Sequence, residues 1–360
     1  MPAYRERVRA DLDRWISSGL VAPENRESIL ATLPETRRLD AATAMAWLGA
    51  VLLGVALMSF VAANWDGMTR IGRFLVILGI FFGFAGAGAW AAHRERPLLT
   101  NIFVMIAALT FAAAVGLVGQ IFDISGDTRA AFYGAGLAAF GLAFAGRSTG
   151  AATVALVLIG LGDFAEHEWF SGLDADAPWM LIAAPLGAYL ALRWSSAALA
   201  HVSALGVIYC VTWFAARTHA EAGVFLFISV VMGVFAFGGR WLFLQERPFA
   251  SLFYGWFAWA ALTFFAFAGY LPGFGDDGSQ NAGLAHRVVW IAASGGLIAL
   301  GRLDRHAIVT AIGVLSFIGA IIATLSDLGL NLLLSTGVFL VCAIAAMIAG
   351  LALRKKAKPA

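Results

Sequence analysis

Charged residues and cysteines are both scarce in this sequence. Asp, Glu, Lys and Arg make up 13% of the chain, against about a quarter in soluble domains. Its two cysteines, Cys210 and Cys342, fall in separate apolar runs, which excludes a disulfide framework and a CxxC metal site and predicts packing roles for both. So little charge is incompatible with an ordinary soluble fold.

Catalytic motifs are also lacking. The chain has no GxSxG, SxxK, Walker or HExxH sequence, so we expect no catalytic residues, no metal and no cofactor. Charges deep inside the apolar runs are nearly absent, which argues against a pump driven by a carboxylate at the bilayer midplane. A channel, a flippase or a carrier that uses neutral polar groups stays open.

Long apolar runs are what the chain has in abundance. Hydrophobic residues make up 61% of it, and the mean hydropathy is +0.83. A helix needs about 20 apolar residues to cross a bilayer, and twelve runs approach that length. The predicted spans are 41–63, 71–92, 98–122, 129–146, 149–165, 178–193, 196–216, 222–244, 248–270, 285–301, 306–326 and 330–353.

The positive charges alternate between the gaps that separate these spans. Of the 24 Lys and Arg residues, nineteen fall on one side and five on the other, so the positive-inside rule places both termini in the cytoplasm. The fold class is therefore an all-α polytopic membrane bundle of about 12 transmembrane helices. Spans four, five, six and ten are the shortest, and a re-entrant or broken helix there would lower the count to ten or eleven.

A soluble segment precedes the first span. Residues 1–40 carry apolar side chains at helical spacing, Ser18 and Gly19 end the first helix, and Pro23 suits the first turn of a second. We predict a cytoplasmic helical hairpin at 1–40, a membrane bundle at 41–353 and a basic cytoplasmic tail at 354–360. Contact with its own chain is the first expectation for the apolar stripe of this hairpin, and a protein partner is the alternative. The stripe residues are Leu12, Trp15 and Leu33.

Small residues recur within the spans. Gly79 and Gly83 form a GxxxG motif, and Gly134 and Ala138 are two small residues at the same spacing. Small residues at this spacing predict close helix packing inside the chain rather than homodimerisation. The segments 67–70 and 126–129 share a Gly-x-Thr-Arg pattern, for which we predict Thr69 and Thr128 as helix N-caps.

Polar residues cluster where the first four spans meet the outer face. Gln120 and Asp123 share a helix face at the end of span three, and polar groups near hydrocarbon are costly unless they are paired or line a wet cavity. Short outer turns should bring this helix end close to the end of span one, with an Arg–Asp ion pair above Gln120. The candidate ligand-binding residues are Asn64, Trp65, Asp66, Arg70, Arg73, Gln120, Asp123 and Asp127.

Two further sets of polar residues are expected to have no binding or catalytic role. An acidic segment follows span five, and we expect a solvated loop there rather than a metal site because no metal-ligand spacing is present. His201, His286 and His306 lie near span ends, where amphipathic anchoring is expected before a proton relay. The acidic segment holds Asp163, Glu166, His167, Glu168, Asp174 and Asp176.

Two motifs resemble an uncharacterised prokaryotic membrane family, domain of unknown function 2157. They are Phe60-Val61-Ala62-Ala63-Asn64-Trp65-Asp66 and the run from Val118 to Asp127. The resemblance covers 10–165, so 41–165 forms the family-like part of the bundle and 166–353 adds further spans. Members usually have Tyr and His where this chain has Phe122 and Asp123, and an imidazole role is not expected here. The resemblance implies a prokaryotic inner membrane and supplies no reaction.

Three functions remain at this stage. The first is an outward-facing polar site that binds or passes a small solute, an ion or a lipid headgroup. The second is a membrane scaffold or sensor that relays to a partner through the N-terminal hairpin. A membrane enzyme is the least favoured, and the partners expected are the lipid bilayer and a small ligand, without nucleic acid.

Overall fold

Helices account for all the regular structure that is described. The computed structural model describes residues 4–32, 49, 52, 67–122, 126–165, 177–218, 221–271, 280–328 and 337. Twelve α-helices and no strand occur in these ranges, which confirms the all-α class. The chain divides into two compact units between Met68 and Thr69.

The first unit contains the predicted helical hairpin. Helix α1 (Tyr4–Ser17) and helix α2 (Asn25–Thr32) are joined by a turn in which Gly19 has a φ of +72°, a left-handed conformation that glycine adopts without strain. The second helix begins two residues later than predicted, because Pro23 lies in the turn before it. Arg26 Nε donates to Asp13 at 2.9 Å and links the helices.

The second unit contains ten helices. Each coincides with one of the predicted spans two to eleven. The first and last predicted spans lie outside the described residues except for 49, 52 and 337. These helices are α3 (Arg70–His93), α4 (Pro97–Ile121), α5 (Thr128–Gly146), α6 (Thr149–Phe164), α7 (Met180–Trp194), α8 (Ala197–Arg217), α9 (Ala222–Leu244), α10 (Ala250–Ala268), α11 (Gln280–Leu303) and α12 (Ala307–Asp327).

Seven of the described helices are long and apolar enough to cross a membrane. The other three helices of this unit, α5, α6 and α7, have 19, 16 and 15 residues. Span ten was predicted to be short, but α11 extends over 24 residues, so the suggestion of a broken helix there is wrong. The helical membrane bundle is confirmed, and the count of twelve stays a prediction.

Tight turns join these helices into five hairpins, which are α3–α4, α5–α6, α7–α8, α9–α10 and α11–α12. Each turn contains a residue with a φ between 46° and 58°, and the amide of the following residue donates to a carbonyl five positions earlier. This is the Schellman pattern that ends a helix. The left-handed residues are Glu95, Arg147, Ser195, Glu246 and Arg305.

Side-chain contacts link successive hairpins near these turns, at what we call the turn end of the bundle. Asn101 Oδ1, for example, accepts from Ser148 Oγ at 2.9 Å and from Gly150 N at 2.8 Å. The opposite end, where consecutive hairpins are joined, is called the loop end. Further links include Phe144 with Trp194, Trp256 with His201, and Ser251 with His306.

Close packing of helices uses glycines other than those predicted. A methyl group added at Gly79, Gly83 or Gly134 would meet no described atom within 4 Å. At Gly239, by contrast, it would lie 2.8 Å from the backbone nitrogen of Tyr254, so α9 and α10 approach there as closely as small residues permit. Close packing at Gly79, Gly83 and Gly134 therefore stays a prediction for contacts with residues outside the described ranges.

Candidate functional site

Half of the eight predicted site residues lie outside the described residues. This is the case for Asn64, Trp65, Asp66 and Asp123. Gln120 belongs to the last turn of α4, where only its backbone is described. The proximity predicted for these residues therefore stays a prediction.

The remaining predicted residues begin two helices at the loop end. Arg70 is the exposed first residue of α3, and Arg73 is half-buried one turn later. Thr69 Oγ1 accepts from the backbone nitrogen of Gly72 at 3.1 Å, which confirms it as an N-cap.

The predicted cap of α5 is wrong by one residue. Asp127, not Thr128, is its N-cap, and Asp127 Oδ1 accepts from Arg129 N at 2.8 Å. A carboxylate is favoured here because its charge also interacts well with the positive end of the helix dipole. Asp127 is thus engaged at a helix start, within the same end of the bundle as Arg70 and Arg73.

Asp163 forms the best-defined polar site at the loop end. Its side chain is buried at the end of α6, and Oδ1 accepts from Tyr133 Oη at 2.5 Å. The same carboxylate accepts from the backbone nitrogens of Trp179 at 2.9 Å and Met180 at 3.0 Å. It therefore satisfies amides that would otherwise be unpaired at the start of α7.

Aromatic and basic side chains complete this site. The ring of Tyr133 stacks on Trp179 with centroids 4.5 Å apart and an angle of 9°. Arg129 Nε donates to Tyr133 Oη at 3.0 Å. The sequence predicted a solvated loop for Asp163, and that prediction is wrong for this residue, because its carboxylate is buried and accepts three hydrogen bonds.

A second buried group holds α11 and α12 together at the loop end. Arg287 is 4% exposed, and its Nε donates to Asp327 Oδ2 at 2.7 Å. Its guanidinium carbon lies 4.4 Å from the ring centroid of Tyr270, a cation–π distance. His286 stacks on Phe265 at 4.5 Å and its Nε2 lies 2.9 Å from the Phe265 carbonyl oxygen, so that nitrogen carries the proton.

The turn end has one comparable ion pair. Arg240 Nε and Nη2 donate to the two carboxylate oxygens of Asp304 at 2.6 and 2.7 Å, and Tyr254 Oη donates to Oδ2 at 3.2 Å. These hydrogen bonds from Arg240 lower the pKa of Asp304 below its usual value. Asp304 is 64 positions from Arg240 and 50 positions from Tyr254 in the sequence, so no local pattern predicts these contacts.

Buried arginines are found at the loop end, and most of the described arginines at the turn end are exposed. At the loop end Arg217 and Arg287 are buried, Arg73 and Arg129 are partly buried, and Arg70 is exposed. At the turn end Arg240 is partly buried, and every other described arginine is exposed. The exposed set at the turn end is Arg94, Arg96, Arg147, Arg193, Arg247, Arg302 and Arg305.

The histidines and acidic residues form no metal site in the described ranges. Of the six residues in the predicted acidic segment, only Asp163 lies within those ranges. His201 Nδ1 accepts from Trp256 Nε1 at 2.8 Å, and His306 caps α12 by accepting from Val309 N at 3.2 Å. Cys210 is buried in α8, as a packing residue should be, whereas Cys342 lies outside the described residues.

Apolar helical hairpins with charged residues at their ends define a multi-pass helical membrane protein. Residues 13–152 match the family model described as Predicted membrane protein (DUF2157), from within α1 to the start of α6. The resemblance indicated by the two sequence motifs is thereby confirmed for this part of the chain. No curated protein and no solved structure gives a significant match.

Proposed function

We propose that this protein binds or passes a small solute, an ion or a lipid headgroup at the loop end of its bundle, which faces outward from a prokaryotic inner membrane. Both termini are then cytoplasmic. The binding residues are those predicted from the sequence, with Gln120 beneath Arg70 and Arg73. No catalytic role is assigned to any of them.

The observation that carries this proposal is the burial of charge at the loop end. Asp163, Arg217 and Arg287 are each at most 4% exposed there. These three residues are not the proposed ligands, but water does not screen buried charges, so their field acts more strongly on a polar ligand bound at the same end of the bundle. At the turn end the exposed arginines are solvated, which suits the cytoplasmic side under the positive-inside rule.

Ligand-dependent stabilisation of the purified protein would test this proposal. We expect at least one ion, solute or lipid in a broad panel to raise the melting temperature of the wild type, since a ligand that binds only the folded state stabilises it. Gln120→Leu should remove that increase. Gln245→Leu, which changes an exposed glutamine at the turn end, should retain it.

Two outcomes would contradict a site at Gln120. The first is a panel in which no compound stabilises the wild type. The second is a compound that stabilises both glutamine variants as much as the wild type.

A sensor or scaffold role is the second candidate, and the exposure of the N-terminal hairpin favours it. Trp15 is 45% and Leu20 74% exposed, whereas Leu12 is fully buried. The apolar surface available to a partner therefore consists of Trp15 and Leu20, and Leu12 is not part of it. Leu33 lies outside the described residues. Trp15→Ser with Leu20→Ser should abolish partner binding and leave ligand-dependent stabilisation unchanged, which separates the two roles.

A further inference from the structure

An apolar cleft of about 290 Å³ lies between α9, α10 and α11. Small residues on all three helices line its middle, including Gly233, Ala261 and Gly296. A methyl group added at Gly233 or Gly296 would meet no described atom within 4 Å. The cleft is thus real space beside these helices rather than a tightly packed seam.

Polar contacts hold α11 at both ends of this cleft. At the turn end, Asp304 directly follows α11 and pairs with Arg240 of α9 and Tyr254 of α10. Toward the loop end, His286 of α11 contacts the carbonyl oxygen of Phe265 on α10. Because α11 is fixed at two levels, it cannot simply move inward to close the space between them.

The size of the cleft suits a single hydrocarbon chain. It has roughly twice the volume of a 150 Å³ apolar cavity that holds benzene. From Tyr254 to Phe265 the lining covers about 16 Å of α10, close to one leaflet of a hydrocarbon slab about 30 Å thick.

The surrounding medium and the nearby charges indicate which kind of molecule supplies the hydrocarbon chain in the cleft. All three helices are candidate membrane spans, so the cleft lies in hydrocarbon. At its turn end, Arg247, Arg302 and Arg305 are exposed beside one exposed acidic residue, Glu246, while Asp304 is already paired. The net positive charge favours a lipid with an anionic headgroup.

A second depression offers a place for that headgroup. It measures about 500 Å³ at the α9–α10 turn and is lined by Phe243, Glu246, Arg247 and Ser251 among others. The ring of Phe243 lies 6.4 Å from that of Tyr254, which lines the apolar cleft. We propose that one anionic phospholipid binds here, with an acyl chain in the cleft and its phosphate beside Arg247 and Arg302.

Lipid binding by the full-length protein can be measured with native mass spectrometry. The probe is phosphatidylglycerol carrying a photoactivatable acyl chain, with phosphatidylcholine of the same chains for comparison. Gly233→Leu and Gly296→Leu each place a side chain in the cleft and should weaken phosphatidylglycerol binding by at least about tenfold, because about two methylenes of the lipid are displaced. Gly238→Leu, an exposed glycine on α9 that does not line the cleft, should bind as the wild type does.

The headgroup is tested separately. Arg247→Gln with Arg302→Gln should remove the preference for phosphatidylglycerol over phosphatidylcholine, whereas Arg94→Gln with Arg96→Gln, at another turn, should keep it. Equal lipid binding by Gly233→Leu, Gly296→Leu and Gly238→Leu would overturn the proposal, as would equal wild-type binding of the two lipids. Photolabelling should fall on peptides from α9, α10 and α11, and labelling confined to other peptides would also overturn it.

Discussion

Asp163 illustrates how a single carboxylate can depend on partners that are remote in sequence. Tyr133 is 30 residues before it, and Met180 is 17 residues after it. From the sequence, its acidic neighbours predicted a solvated loop. The only local signal for another role is that Asp163 lies inside the predicted span 149–165, where a carboxylate is costly unless it is paired.

Removing the charge of Asp163 should destabilise the protein. Asp163→Asn places an NH₂ group near backbone amides that need an acceptor, and we expect a loss of about 2–3 kcal/mol in unfolding free energy. Tyr133→Phe deletes the hydrogen bond donated to Asp163 and the one accepted from Arg129, and it should cost about 1.5–3 kcal/mol. The control is Tyr189→Phe, an exposed tyrosine on α7, which should change stability by less than about 0.5 kcal/mol.

Chemical unfolding in detergent or lipid nanodiscs would measure these differences. If Asp163→Asn were as stable as Tyr189→Phe, the carboxylate would not be the cap of α7 that the hydrogen bonds indicate.

The Arg240–Asp304 pair predicts a dependence of stability on pH. The pKa of Asp304 is lowered in the folded state, chiefly by its hydrogen bonds with Arg240, so the carboxylate binds a proton more readily when the chain is unfolded. Its contribution is present above the unfolded pKa of about 3.9 and is lost as the pH falls through the folded pKa.

Melting curves of Asp304→Asn and the wild type would reveal that contribution. At pH 7 the substitution should cost about 3 kcal/mol, because Arg240 would lose its charged partner. The difference between the two proteins should shrink as the pH is lowered below about 4. A difference that stays constant down to pH 2 would mean that ionisation of Asp304 does not contribute to folding.

At the scale of elements, helix positions follow from the sequence and turn geometry does not. Helix α9 begins and ends at the predicted residues, 222 and 244, because an apolar run is bounded there by charged or polar residues. Glycine usually signals the left-handed residue that ends a helix, but none of the five turns has glycine at that position. The sequence therefore predicted where each turn is without predicting its conformation.

Ser195 offers a direct test of that turn conformation. It has a φ of 54° in the two-residue turn between α7 and α8, and it is exposed. A left-handed conformation costs an L-residue about 1–2 kcal/mol, whereas glycine adopts it freely but loses about 0.5–1 kcal/mol of entropy. Ser195→Gly should therefore stabilise the protein by up to about 1 kcal/mol.

Ser195→Val should have the opposite effect, since a β-branched residue is strained at positive φ. Thermal unfolding of the two variants would measure the ordering. A valine variant as stable as the glycine variant would contradict the Schellman turn at this position.

At the scale of the whole molecule, the exposure of arginine agrees with the charge alternation that the sequence shows. Counting charges between apolar runs separates the two ends, but it does not distinguish solvated from buried arginines. That distinction comes from packing. Arg287, for example, is enclosed by Tyr270 and Trp290, which are 17 residues before it and three after it in the sequence.

The orientation of the bundle can be tested on two exposed residues at its opposite ends. Ser195 belongs to the turn end and Glu221 directly precedes α9 at the loop end. If the exposed arginines face the cytoplasm, as the positive-inside rule requires, a membrane-impermeant maleimide should label Glu221→Cys in intact cells. Ser195→Cys should react only after the cells are opened.

Both variants are made with Cys210 and Cys342 replaced by alanine, so that the introduced thiol is the sole target. Reporter fusions provide an independent measurement of the same orientation, with a cytoplasmic signal expected after Ala360 and an external signal at Gly278. The two residues in the labelling experiment lie on either side of α8, a candidate span of 21 residues, so labelling of both in intact cells would contradict a membrane crossing by that helix. Labelling of Ser195→Cys alone would instead invert the orientation and place the proposed binding site on the cytoplasmic side.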